Sequence, residues 1–363
     1  MDQNGKKKKK TVWLTVAGLV VILIGLYQFA SDRFQEREKD LRRRLRVSVE
    51  RRFPDQAEKV AATWGLYHFE SKKSPRQDEV PAEEPVVLIH GLDDPEKVWM
   101  NLAPALTTEG FDVWKMKYPN DQPIRDSARF FFEKLKIFRN LGAVRIKIVA
   151  HSMGGLVSRE MLTNPEFAYA ENALKGEVPR VTDFIMVGTP NHGSEFARFR
   201  VLAEFREQWV RATRGNGQWL RGIIDGCGGA KIDLLPGSQF LNGLNARTDP
   251  EGVRMLIIAG IATPLDDEEI VLFTESLREK LPDSTHNMLN GLERALQSAT
   301  HGLGDGLVTV SSTTLDGVSH QTVQGTHLTM IRNHSTKSVR VPPAVPIIVE
   351  HLKQRRPAAN EIN

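Results

Sequence analysis

The chain has 363 residues, 40% hydrophobic and 26% charged, an ordinary globular composition long enough for one large α/β domain with an appendage. Its single cysteine, Cys227, excludes an intramolecular disulfide framework and a cysteine-rich metal site. The net charge of +4 is local: residues 1–63 carry 15 Lys and Arg against 8 Asp and Glu, and the rest of the chain 34 against 37, so the body is not a basic nucleic-acid surface and no nucleic-acid partner is expected.

Lys6 to Lys10 close a basic tail (residues 1–10), and Thr11 to Ala30 follow without a charged residue. Twenty helical residues span about 30 Å, the thickness of a bilayer's hydrocarbon core, and Trp13 and Tyr27 near the ends suit its two interfaces. The stretch reads as a transmembrane anchor. A cleavable signal peptide is the rival, but its apolar region is shorter, about 7–15 residues, and Gln28-Phe29-Ala30 fits a small-x-small cleavage site poorly. Basic residues also follow the span, from Arg33 to Arg46. The compact lysine run favours a cytoplasmic N-terminus, with the main domain on the extracytoplasmic side.

Residues 31 to about 66 are charged and helix-favouring, with Leu41, Leu45, Val47 and Val49 interspersed. Two readings stand side by side: a stalk helix or one lying on anionic headgroups, and a solvated, charge-laced helix. Pro54 is expected to break it. Ser71 to Pro85 is polar, with Pro75, Pro81 and Pro85, and reads as a linker. Residues 31–84 are thus expected to be stalk and linker.

From Val86 the texture changes. Val86 to Ile89, Phe111 to Met116, Arg145 to Ala150, Val181 to Val187, Val253 to Ala259 and Val318 to Val323 read as strands, with helical stretches such as Ser127 to Arg139 and Gly155 to Leu162 between them. Short apolar strands alternating with helices imply an α/β fold, a mostly parallel sheet covered on both faces, over residues 85–355, before a tail at 356–363. Residues 195–250 form a long insertion. Phe196, Phe199, Val201, Leu202, Phe205 and Trp209 recur there at amphipathic-helix spacing. The expectation is a cap or lid; the rival is a helix packed as core.

The chemistry concentrates at R-I-K-I-V-A-H-S-M-G-G, residues 145–155. A strand that turns sharply into a helix with a serine at the apex lifts the hydroxyl clear of the sheet and strains its backbone. Small residues must flank it, and Ala150 and Gly154 do, although glycine is commoner at the first position. Ser152 is therefore the candidate nucleophile rather than an ordinary N-cap. A serine hydroxyl needs a histidine base oriented by a carboxylate, and in this architecture the chain order is serine, acid, histidine. Asp305, in the glycine-flanked loop G-L-G-D-G-L-V, is preferred to Asp266 and Asp267, which belong to an acidic surface run. His327, in Gly325-Thr326-His327-Leu328 just beyond the last strand, is preferred to His334, held in reserve, and to His320 within the strand; His351 lies deep in the terminal helix. The oxyanion needs two donors: the N–H of Met153, after the nucleophile, and that of Leu92, in the loop after the first core strand. His90 and His151 read as structural. No cofactor and no metal site are expected.

I-H-G-L, A-H-S-M-G-G, V-G-T-P-N-H-G-S (187–194), D-L-L-P-G-S-Q-F-L (233–241), G-D-G-L-V and the late T-H-L together resemble the α/β-hydrolases of the bacterial lipase and serine-esterase kind, including the branch that deacylates membrane lipids. The resemblance covers about residues 85 to 355. It implies Ser152, Asp305 and His327 as the triad, an ester or lipid substrate and no cofactor; Ala150 departs from the usual glycine without removing a chemical group. Acyl transfer by the same triad and a catalytically silent, anchored binding protein are the alternatives.

Overall fold

The structure, a computed structural model, describes residues 37, 39–41, 43–69, 80–92, 97–194, 229–262, 267–278 and 286–354. The basic tail, the uncharged stretch 11–30, Cys227 and residues 195–228 of the expected lid lie outside the described residues. Among the described residues no helix is long and apolar enough to cross a membrane.

Period-two burial builds the sheet. In β2 (Val86–Ile89) every residue is buried: Val87 and Ile89 face one apolar cluster, Val86 and Leu88 the other. In β4 (Arg145–His151) Ile146, Ile148 and Ala150 face the first cluster and Val149 the second, and in β5 (Arg180–Val187) Phe184 and Met186 oppose Ile185 and Val187. A strand with both sides buried must be covered on both sides. Helices α4 (Ile124–Asn140), α5 (Met153–Thr163) and α6 (Tyr169–Leu174) supply the first cluster; α3 (Leu102–Thr108) and α12 (Ala344–Lys353) supply the second.

The remaining strands are β1 (Gly65–His68), β3 (Val113–Lys117), β6 (Arg254–Ile261) and β7 (Ser319–Gln324). The seven-stranded order is β1-β3-β2-β4-β5-β6-β7, parallel except for β1 on β3. From β2 the chain steps outward to β3, returns past β2 to β4, and then proceeds through β5 to β7. The order therefore reverses between β2 and β4. Their carboxyl-end loops diverge there, which is where open α/β sheets hold ligands.

Three features differ from the sequence expectation. The sheet begins at Gly65, inside the stretch read as stalk and linker, because β1 pairs with β3 from Gly65–Lys117 to His68–Trp114. The stalk is also docked: α1, described at residues 37, 39–41 and 43–52, ion-pairs with the body through Lys39 and Asp233. Pro54 does end it, and then opens α2 (Pro54–Ala61) from the first-turn position, where its missing N–H costs nothing. Finally, a helical hairpin not anticipated from the sequence, α9 (Asp267–Arg278) and α10 (His286–Leu303), separates β6 from the Asp305 loop; Arg278 and Thr274 both bond Glu293 across it.

The described part of the insertion is core. Helices α7 (Gly229–Asp233) and α8 (Gln239–Asn245) bury Ala230, Ile232, Leu241 and Leu244. Arg159 of α5, 2% exposed, donates to Asn191 and Asn245, so one guanidinium ties together the chain on both sides of residues 195–228. Burial lowers its pKa to about 10.

Candidate active site

Ser152 follows β4 with φ 56° and ψ −131°, one of two non-glycine residues with positive φ among the described residues. L-residues avoid this region at a cost of order 1–3 kcal/mol. The strain is held by its surroundings. Ser152 N–H donates to the Val187 carbonyl (2.8 Å), and a Cβ added at Gly154 would fall inside van der Waals contact of the Ile89 carbonyl oxygen and 2.7 Å from that of His90. Ser152 occupies the N-cap position of α5, yet its side chain makes no capping hydrogen bond. Gly154→Ala is accordingly expected to destabilise the fold by about 3 kcal/mol; a urea midpoint indistinguishable from the parent's would contradict this backbone approach.

The loop after β2 reaches the same point. A Cβ at Gly91 would stand 2.7 Å from Ser152 Cβ and 3.1 Å from its Oγ. His90 braces the loop: its Nδ1 lies 2.7 Å from the Gly91 oxygen, its carbonyl accepts from Tyr118 Oη at 2.6 Å, and its ring lies 4.6 Å from the Tyr118 ring. Leu92 is half-buried at the end of the described part of this loop, and Met153 is the first residue of α5, fully buried.

Asp305 and His327 come from the loops before α11 (Val310–Thr313) and after β7. Asp305, 2% exposed, accepts three N–H groups. Oδ1 takes the amides of Leu307 (2.9 Å) and Val308 (2.8 Å), and Oδ2 takes His327 Nδ1–H at 2.7 Å. Gly304, with φ +52°, has no room for a side chain against the Val308 carbonyl and makes this tight loop possible. His327 N–H also donates to the Asp305 carbonyl at 2.9 Å. With its proton on Nδ1, the ring presents a lone pair at Nε2. Gly188, directly after β5, joins the two halves of the site: a Cβ there would lie 3.1 Å from Asp305 Oδ2 and 3.2 Å from His327 Nδ1, while Val187 receives the Ser152 amide. The Ser152 hydroxyl itself makes no hydrogen bond to His327 in this structure.

The other candidates fall elsewhere. His320 lies in β7 with Nε2 at 2.9 Å from Thr313 Oγ1, His334 is exposed on a loop, His351 sits 3.7 Å from Asp183, and Asp267 opens α9. Asp266 lies outside the described residues. Among the described residues no cluster of His, Cys, Asp and Glu could hold a metal ion. A cleft of 1210 Å³ opens at the amino ends of β4 to β6, far from Ser152. Of its acids, the buried one, Asp183, is taken up by Lys147 (2.8 Å) and Arg254 (2.6 Å). Burial pushes that carboxyl up, and the two bonds outweigh it and hold it below its ordinary value. This surface is an ion-pair network.

His151 has a role the sequence did not reveal. Its Nε2 donates to the His327 carbonyl at 2.8 Å across 176 residues, and the rings lie 4.7 Å apart. Burial, reinforced by His327, Arg332 and His90, holds its pKa well below the ordinary value against the opposing pull of the bond to His327. The unfolded chain takes up a proton near pH 6.5 that the folded chain refuses, so this contribution is complete above about pH 6.5 and is lost as pH falls below it, by at most about 1.4 kcal/mol per pH unit. Unfolding free energy is expected to fall from pH 7 to pH 5 less steeply in His151→Gln than in the parent; equal slopes would refute this.

A mostly parallel sheet, helices on both faces and a strained serine turn after the central strand define an α/β-hydrolase of the lipase and esterase kind. The chain belongs to the family Lipase (class 2), whose model matches residues 83–272. Triacylglycerol lipases of Pseudarthrobacter phenanthrenivorans and Burkholderia plantarii are each 28% identical to it over 125 residues, 32% of this chain and 35% and 32% of theirs. The chain thus matches about a third of the length of these curated relatives. Among solved structures, the mature lipase BlEst2 of Bacillus licheniformis is 18% identical at TM-score 0.47, over 78% of this chain and 97% of that one. Phospholipase PlaB of Legionella pneumophila is 15% identical at TM-score 0.49, over 75% and 60%.

Proposed function

We propose that the protein hydrolyses carboxylic esters, of the lipid or acyl class, through Ser152, His327 and Asp305. The observation that carries this is the Asp305–His327 hydrogen bond at the same end of the sheet as the strained Ser152 turn. Ser152 Oγ attacks the ester carbonyl as His327 Nε2 takes its proton. The carbonyl oxygen becomes an oxyanion held by the Leu92 and Met153 amides. Collapse breaks the bond to the alcohol, which leaves with the proton from His327. Water, deprotonated by the same ring, then attacks the acyl-enzyme and frees the acid. Asp305 fixes the tautomer and orientation of His327, and no cofactor takes part. The uncharged stretch 11–30 behind Lys6–Lys10 supports a single-pass anchor with the catalytic domain on the extracytoplasmic side.

The test is hydrolysis of p-nitrophenyl esters of increasing acyl length by the full chain, with a fluorophosphonate and mass mapping of the labelled residue. Release of free acid and a label on Ser152 are expected, and the length profile separates esterase from lipase. An unlabelled Ser152 in a folded, inactive chain would overturn the reading in favour of a binding protein; transfer of the acyl group to an added alcohol in place of acid release would redirect it to acyl transfer.

A further inference from the structure

Helix α1 is inside out. At 3.6 residues per turn, positions 39, 46, 50 and 53 fall on one side and 37, 41, 44, 45, 48 and 52 on the other. The side against the body is the charged one. Lys39, with its side chain 12% exposed, pairs at 2.5 Å with Asp233, whose side chain is 1% exposed; Arg46 donates to Gln122 and, at 2.8 Å, to Glu50. The outward side carries Leu41 and Leu45, 68% and 50% exposed, beside exposed Arg44 and Arg52. A helix serving only the core of a globular protein turns its leucines the other way.

The docking point is the rim of the candidate active site. Gln122 closes the loop after β3, from which Tyr118 donates to the His90 carbonyl (2.6 Å) and Asn120 to that of Gly91 (3.5 Å), and Gly91 abuts Ser152. Asp233 ends α7, where the chain returns from residues 195–228; its second oxygen accepts the Ile124 amide that opens α4 (2.8 Å). Two loops in contact, those after β3 and β2, therefore separate α1 from the serine.

We propose that α1 is an interfacial helix whose outward leucines and arginines rest on an anionic lipid surface, and whose inward ion pairs hold the mouth of the Ser152 site at that surface. Residues 37–52 carry eight Lys and Arg against three Asp and Glu. That excess attracts anionic headgroups and repels a second copy of the same helix. Guanidinium groups match phosphate oxygens in pairs, and two leucines one turn apart suit shallow insertion at the headgroup boundary. The uncharged stretch 11–30 lies just upstream, which places α1 within reach of the same surface. The lipid contact stands on α1 alone; its bearing on turnover rests on the ester-hydrolase reading above.

The test uses the full chain reconstituted in phosphatidylcholine vesicles with or without phosphatidylglycerol. An environment-sensitive fluorophore is placed by Leu45→Cys in a Cys227→Ser background. A blue shift, and quenching by a lipid-borne quencher, are expected only with phosphatidylglycerol. In parallel, Leu41→Asp combined with Leu45→Asp is expected to leave turnover of a soluble short-chain ester within about twofold of the parent and to lower turnover of a bilayer-dissolved ester about tenfold. Identical fluorescence in both vesicles, cross-linking between copies at position 45 without lipid, or full bilayer turnover in the double variant would each overturn the proposal. If the parent hydrolyses no soluble ester, the hydrolase reading fails, and the fluorescence arm still decides the lipid contact.

Discussion

Ser152→Ala is expected to lower kcat on a soluble p-nitrophenyl ester about 10⁴-fold or more, with little change in melting temperature. The two readouts separate because the hydroxyl does no structural work: it caps no helix, and alanine endures the same φ of 56° that serine does. Ser152→Gly sharpens the point. Glycine accepts this conformation freely, so the variant is expected to be equally inactive yet more stable by about 1 kcal/mol. Retained activity in either variant would remove Ser152 from the chemistry. A glycine variant less stable than the alanine one would show that the turn is not strained.

Asp305→Asn is expected to cost a similar factor, about 10⁴ in kcat, with the fold intact. The reason lies in the three bonds of the carboxylate. The Leu307 and Val308 amides need an acceptor, so the carboxamide oxygen must turn to them. Its NH₂ then faces His327 Nδ1, which accepts rather than donates, and the ring proton moves to Nε2, where the lone pair is needed. Steady-state kinetics of the purified variant decides it: a loss smaller than about tenfold would mean that Asp305 does not set the tautomer of His327.

Strands β2, β4 and β5 were legible in the sequence because their signal is local: short unbroken apolar runs mean a strand buried on both faces. The serine turn was legible because Gly154 and the strand before it are both in the motif. The order serine, acid, histidine along the chain, together with the glycine-flanked loop, pointed to Asp305 and His327, which the fold joins by a hydrogen bond. Strand β1 was not legible. Its four residues sit among charged, helix-favouring neighbours, and it exists as a strand only because β3 offers an edge; Trp114, with its ring 5.6 Å from that of His68, lies on the partner strand. The α9–α10 hairpin escaped for the same kind of reason, since each helix rests on the other and the acidic run at its start read as surface. The His151 bond to the His327 carbonyl has no sequence signal at all.

That last bond also sets a clock. Its partners are 176 residues apart, and a ribosome adding about 5–20 residues per second needs about 9–35 s to cover the distance. Throughout that interval the nascent chain carries the Ser152 turn without His327. A chain cut before the loop after β7 lacks this bond, so His151 is left without the acceptor it holds in the finished sheet.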